Sequence, residues 1–174
     1  MGKKVGVLQM DMAALFEMYA RLLYRYAIAI TGSAEDAEDV VQEVFLNVSR
    51  NRKWANGDEE RARRYLYAAT RNTAFSHLRK RKRSDRLHQA MCVELASGAQ
   101  TNIEGQNDRA ATLCQVFAGL PVEQREVLVL KIHDGMTFKE IAEAAKLPIS
   151  TVSSRYKYAI SKLRKTLGGD DDEE

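Results

Sequence analysis

Apolar residues return along this chain at intervals of three and four, the spacing of helices with one buried face. Over residues 12–30, Leu15, Met18, Tyr19, Leu22, Leu23, Tyr26 and Ile30 keep that spacing, and Thr31-Gly32 ends it. Ser33-Ala-Glu-Asp36 then resembles a capping box, with acids in the first turn where the helix dipole favours them. The second helix is expected to run to about Arg50, burying Ala37, Val41, Val44, Phe45 and Val48. Residues 53–60, with Asn56-Gly57-Asp58, read as a loop. A third long helix is expected over about 61–83.

Beyond Arg83 the periodicity dissolves, and residues 84–107 read as a flexible linker with some helical character near 87–95. Order resumes with Leu113, Val116, Phe117 and Leu120. Pro121 suits a helix start, residues 127–132 supply an apolar stretch, and Asp134-Gly135 ends that helix. Thr137-Phe-Lys-Glu140 is a capping box opening a short helix over 139–145. A turn at Leu147-Pro148 leads to a last helix from Ser150 to about Leu167. No repeat, strand alternation or hairpin signal interrupts the series. The expected fold is all-α, in two small lobes: 10–83, then a linker 84–111, a helix-turn-helix lobe 112–167, and an acidic tail 168–174 expected to fray.

Composition sharpens the picture mainly through charge. The net charge of +3 in 174 residues hides an excess of six cations over 1–83 and four over 112–167. The connector between them and the tail are acidic. Two basic blocks suggest two surfaces for a polyanion. No apolar run reaches the roughly 18 residues of a membrane span, and no signal peptide is read at the start. Cys92 and Cys114 form neither a metal-ligand spacing nor a disulfide framework. They read as free thiols of a reducing cytoplasm, with a redox switch as the alternative.

Three constellations carry candidate chemistry. In the last helix, Val152, Tyr156, Ala159, Ile160 and Leu163 share one side, which must pack inward. Ser150, Ser154, Lys157, Tyr158, Ser161 and Lys165 share the opposite arc, with Arg155 at its margin. Short hydroxyls and long cations there can lie against a duplex, early residues reaching base edges and later ones phosphates. An ordinary solvated helix face is the alternative. In the third helix, Arg64, Arg71, Phe75, Arg79 and Lys82 occupy one arc with Tyr67 beside them, opposite Tyr65, Leu66, Ala69, Thr70, Thr73 and His77. Cations mixed with aromatics suit single-stranded nucleic acid, whose phosphates attract charge and whose bases stack. Dipole-favoured cations at a helix end and aromatic core residues explain the same pattern without a ligand. On the second helix, Asp36, Asp39, Glu43 and Leu46 cluster outward with Gln42 alongside, either a docking face for a basic protein surface or a solvated acidic face. No Ser, His, Cys or carboxylate set forms an active-site motif and no Gly-rich phosphate loop occurs, so no catalytic, metal or cofactor site is expected and the chain is not read as an enzyme.

The order of these features resembles the extracytoplasmic-function sigma factors of bacterial RNA polymerase. Ala37-Glu-Asp-Val-Val-Gln-Glu-Val-Phe45 resembles that family's polymerase-binding motif. Tyr65-Leu-Tyr-Ala-Ala-Thr-Arg-Asn72 and His77-Leu-Arg-Lys-Arg81 look like its minus-ten promoter helix. Leu120-Pro-Val-Glu-Gln-Arg-Glu-Val127, Phe138-Lys-Glu-Ile-Ala142 and Leu147-Pro-Ile-Ser-Thr-Val-Ser-Ser-Arg155 are similar to its helix-turn-helix for the minus-thirty-five element. The resemblance implies that Asp39, Gln42 and Glu43, with Asp36 and Leu46 beside them, meet the clamp helices of the largest polymerase subunit, the flap being a further contact. It implies that the 52–61 loop with Asn56, and Arg71, Asn72 and Arg79, approach the minus-ten strand. It places Thr151, Ser154, Arg155, Lys157 and Tyr158 on the minus-thirty-five duplex, and it implies control by an anti-sigma protein. Tyr65 stands where the family commonly has Trp, Ser76 where an acid is frequent, and Ser153 and Tyr158 at positions often basic. Two other readings of the residues stay open: a free-standing helix-turn-helix regulator, which needs a dimer and a palindrome, and a recombinase-like enzyme.

Overall fold

A computed structural model describes residues 12–50, 59–80 and 107–166, with side chains of the last segment described from residue 112. Helix α1 spans Met12–Thr31, α2 Ala34–Arg50 and α3 Glu59–Lys80; α4 spans Asn107–Ala118, α5 Val122–Ile132, α6 Phe138–Ala145 and α7 Ile149–Thr166. All regular structure among the described residues is helical. Helices α1, α2 and α3 pack on one another as an amino-terminal lobe, and α4 to α7 form the second. Helix α4 begins within the segment read as linker, so the last five positions of 84–111 are helical. The rest of that segment, the acidic tail, Asn56, Lys82 and Cys92 lie outside the described residues. Cys114 is a buried thiol.

Local sequence sets the helix ends. Gly32 turns the chain at φ 67°, the left-handed region that costs glycine least. Ser33 accepts the Asp36 N–H at 3.3 Å, capping α2. Before α6 the capping box closes in both directions: the Glu140 N–H donates to the Thr137 hydroxyl at 3.2 Å, and the Thr137 N–H donates to the Glu140 carboxylate at 2.6 Å. Lys146, at φ 55°, makes the tight turn between α6 and α7, with its N–H returned to Glu143 and that of Leu147 to Ala142.

Burial then reveals what the periodicity could not. The larger core runs through both lobes, joining Leu23, Tyr26, Leu66 and Tyr67 to Val127, Leu130, Ile141 and Val152. The smaller one joins Phe117, Leu120, Leu128, Val129 and Ala159 to Ala29 of α1. Helix α5 lies between α1 and α7, and α6 lies on α3. Hence six consecutive residues of α5, Arg125 to Leu130, are buried, the mark of a helix covered on all sides. Met18 departs from the expected core stripe and is half exposed.

Two of those six residues are charged, and each meets polar groups of other helices. Arg125 donates from Nε to the Ala29 carbonyl at 3.0 Å and from Nη1 to the Ala118 carbonyl at 2.9 Å. Both carbonyls belong to the last turns of helices, where acceptors lack intrahelical donors and the dipole favours a cation. One guanidinium thereby ties the ends of α1 and α4 to α5. Arg125→Ala is expected to lower the stability of the whole chain by about 2–4 kcal/mol, because buried acceptors lose a charged donor. Urea denaturation followed by circular dichroism measures it, and a midpoint equal to wild type would contradict the tie.

Candidate nucleic-acid interface

The outer arc of α7 is presented as its spacing required. Val152 and Ala159 are fully buried, while Ser150, Ser154, Lys157, Tyr158, Ser161 and Lys165 are exposed. Thr151 and Arg155 are half-buried at the margin, and a buried Arg155 Nη1 has no hydrogen-bond partner among the described residues. The helix is held by Tyr156, whose ring meets Phe138 edge-on with centroids 5.4 Å apart, and Lys131 sits 5.2 Å over the same Phe138 ring. The turn from α6 into α7 therefore offers hydroxyls and cations on a rigid base.

Helix α3 is arranged differently from its expected arcs. Its buried line is Ala62, Leu66, Tyr67, Thr70 and Ala74. Tyr65, on the arc opposite the cations, is partly exposed, whereas Tyr67, read as part of the nucleic-acid arc, has no exposed surface. Tyr67 stacks near Tyr26, ring centroids 5.6 Å apart, and burial pushes its phenol well above the ordinary tyrosine range. In this arrangement it is a core aromatic, because α6 and its preceding loop cover the side of α3 that periodicity left open. Asn72 and Arg79 are exposed. Arg64 and Arg71 are engaged by the second lobe: Arg64 Nη1 lies 3.2 Å from Glu60 and 3.4 Å from Glu143, and Arg71 Nε lies 2.6 Å from Glu126.

Glu126 is the other charged residue of α5, and it is fully buried. Its Oε1 also accepts the Tyr26 hydroxyl at 2.7 Å. Burial works against the Arg71 charge, but the hydrogen bond and negative charge of Glu126 outweigh it and raise the guanidinium above its usual range. Arg71 lies over the Phe75 ring at 4.6 Å as well. Neighbouring Arg63 donates to Glu140 at 3.3 Å and to the Asp134 carbonyl at 3.1 Å. The importance of Arg63, Arg125 and Glu126 was missed in the sequence, although two charges adjoining an apolar stretch that faces every direction signal a helix with buried ions.

The outer face of α2 carries Asp39, Gln42, Glu43 and Leu46 exposed, with Asp36 half-buried near its start. Glu43 reaches back to His77 of α3 at 3.4 Å, so that histidine serves as a contact between helices. Beside this face Phe16 of α1, half exposed, meets Phe45 edge-on at 5.0 Å. It adds apolar surface that its off-stripe position in α1 concealed.

Such a molecule is an all-helical binding protein with a helix-turn-helix and separate acidic and basic faces. Residues 15–84 match the family model for Sigma-70 region 2, and residues 116–165 the model for Sigma-70 region 4. The ECF RNA polymerase sigma factor SigL of Mycobacterium tuberculosis is 31% identical over 160 residues, covering 90% of this chain and 88% of its own. SigW of Bacillus subtilis is 27% identical over 173 residues, covering 89% and 88%. Among solved structures, the sigma factor RpoE in complex with the anti-sigma factor NepR from Bartonella quintana aligns over 89% of this chain and 96% of its own, at TM-score 0.63 and 21% identity. CnrH in complex with the cytosolic domain of CnrY aligns over 92% and 89%, at TM-score 0.62 and 24% identity. The chain belongs to the ECF RNA polymerase sigma factors.

Between the lobes, Asp134 has a distinct titration. Burial raises its carboxyl to about 6, only partly offset by the Tyr67 hydroxyl, Arg25 and Arg63. Neither carboxylate oxygen completes a well-formed hydrogen bond among the described residues. The folded chain thus holds this proton more tightly than the unfolded one, whose ordinary value is 3.8. The packing carries no penalty from Asp134 below that value and the full penalty above about 6. Asp134→Asn is therefore expected to gain stability relative to wild type as pH rises from 4 to 7, by no more than about 3 kcal/mol. Urea midpoints across that range measure it, and parallel curves for the two proteins would refute the shift.

Proposed function

We propose that this sigma factor divides its work among three surfaces. The exposed acidic face of α2, with Asp36, Asp39, Gln42, Glu43 and Leu46, docks on the clamp helices of the largest polymerase subunit. Helix α3, through Arg64, Arg71, Asn72 and Arg79, meets the minus-ten strand as the promoter opens, with Asn56 and Lys82 assigned there from the sequence pattern alone. Helix α7 enters the minus-thirty-five major groove, with Ser150, Thr151, Ser154 and Lys157 near base edges and Arg155, Tyr158, Ser161 and Lys165 toward phosphates. Tyr67 is withdrawn from the minus-ten set because of its burial.

The observation that carries this reading is the outward arc of α7. Its serines and lysines are solvent-exposed while Val152 and Ala159 on its other side are sealed in the core. That arrangement supports a DNA-facing role for a helix whose inner side is held in the core. Function then follows from binding alone: no step requires a catalytic group, metal or cofactor of the chain's own. Each lobe, once bound, raises the local concentration of the other at its promoter element. The protein acts with polymerase in the cytoplasm, and no helix of the described residues is long and apolar enough to cross a membrane. The anti-sigma partners of the two structural neighbours support control of this chain by a protein of the same kind.

In vitro transcription with core polymerase, mapping where transcripts start, tests the assignment as a whole, and failure to start RNA synthesis at any promoter would end it. Asp39→Arg with Glu43→Arg is expected to abolish capture of core polymerase while leaving the helical spectrum unchanged. Undiminished capture would remove the docking face from α2. Lys157→Ala is expected to weaken binding to its own upstream promoter duplex by about 1–3 kcal/mol, the range for a base-reading contact. A loss equal on all sequences would reassign Lys157 to a phosphate.

A further inference from the structure

The first turn of α7 carries an apolar side chain that the core does not use. Pro148 stands at the cap position: its carbonyl accepts the N–H of Thr151 at 3.0 Å and that of Val152 at 3.2 Å, so Ile149 is the first helical residue. The apolar clasp across this helix start is made without Ile149, since Leu147 packs against the core that holds Val152. Ile149 is left 52% exposed, with Pro148 and Ser150 exposed on either side. Helix chemistry does not account for it either. The dipole favours acids in a first turn, and a β-branched residue is a weaker helix former than a straight-chain one. The first turn of α7 holds no acid, so nothing there repels a phosphate.

Position gives this side chain a direction. The Cα–Cβ bonds of a helix tilt toward its amino terminus, so a side chain of the first turn projects ahead of the helix. In a helix-turn-helix that end is the one that meets base edges in the major groove. Ile149, Ser153 and Lys157 follow at intervals of four and form one row on the helix surface. Ser153 is short and half-buried, so it does not hold the row away from a duplex. The apolar substituent on the major-groove edge of a base pair is the thymine 5-methyl group. Set instead against a donor or acceptor, an isoleucine would leave that group dry and unpaired, which is costly. We propose that Ile149 is a specificity-determining residue that packs on the 5-methyl group of a thymine in the upstream promoter element, close to the base pair met by Lys157. This deepens the assignment of α7 to the minus-thirty-five groove and rests on it. The contact selects T·A over C·G by shape and exclusion of water, a form of readout that the serines and lysines of the outer arc do not supply.

The test uses the full chain assembled with core polymerase. Duplexes randomised upstream of the transcription start are selected for binding. In the recovered sequence each upstream thymine is then replaced in turn by deoxyuridine, which differs only in lacking the methyl group. One replacement is expected to weaken binding about fourfold, the worth of one buried carbon group. It is expected within a few base pairs of the pair whose identity Lys157→Ala relaxes. Ile149→Ala is expected to bind the thymine and deoxyuridine duplexes equally, and Ile149→Val to keep part of the difference. Absence of a methyl-sensitive thymine, or a methyl effect equal in wild type and Ile149→Ala, would overturn the contact. If Lys157→Ala still relaxes one base pair in that event, α7 remains the groove helix and the Ile149 assignment alone has failed. If neither substitution alters the selected sequence, the assignment of α7 has failed with it. Weaker capture of core polymerase by Ile149→Ala, with the selected sequence unchanged, would make Ile149 a protein contact and overturn the proposal.

Discussion

Helix α5 cannot be exposed. It brings Arg125 and Glu126 into an apolar stretch, and both need partners that only other helices can supply. Leaving either charge buried and unpaired costs several kcal/mol, far more than a surface ion pair returns. The carbonyl ends of α1 and α4 answer the cation, and Tyr26 with Arg71 answers the anion. This requirement fixes the register of α1, α3 and α4 against α5. The remaining contacts between the lobes, apolar and ionic, follow from that alignment.

The same interlock explains why the two lobes share a core while each keeps a recognisable helical plan. Tyr26 and Tyr67 present aromatic faces to residues from α5 and α6, so burial reaches across the boundary. The polar edge of this boundary is less settled. Asp134 is largely buried beside two arginines without a well-formed hydrogen bond, and burial raises its carboxyl to about 6. The contact is thus apolar at its centre and carries an imperfectly satisfied carboxyl at its rim.

Charge therefore serves two ends in one molecule. On α7 Lys157 and Lys165 stay exposed, while an apolar inner face anchors the helix and Lys162 donates to the Gly119 carbonyl at 3.3 Å. On α3 a buried inner line from Ala62 to Ala74 is flanked by arginines that help to hold the second lobe. The acidic face of α2 remains outward, with Glu43 reaching His77 and with Phe16 and Leu46 adding apolar area nearby. A sigma factor built this way keeps the acidic face of α2 and the outer arc of α7 accessible at once, while α3 is partly engaged within the chain.

Much of this was legible before any coordinates. Helix ends at Gly32, Ser33, Gly135 and Thr137 follow from residue chemistry within a few positions, which is why they stand where the pattern put them. The inward and outward sides of α2 and α7 also emerged, since each helix has one clear apolar stripe. Other features depended on contacts between residues distant in the chain. Tyr67 lies on an arc shared with cations, and only the placement of α6 over it made it core. Arg71 carried the signature of a nucleic-acid contact, yet its nearest anion is Glu126, 55 positions away. Periodicity determines which side of a helix is apolar; which charges face one another is decided by how the helices are stacked, because an ion pair is a property of two surfaces and neither surface encodes the other.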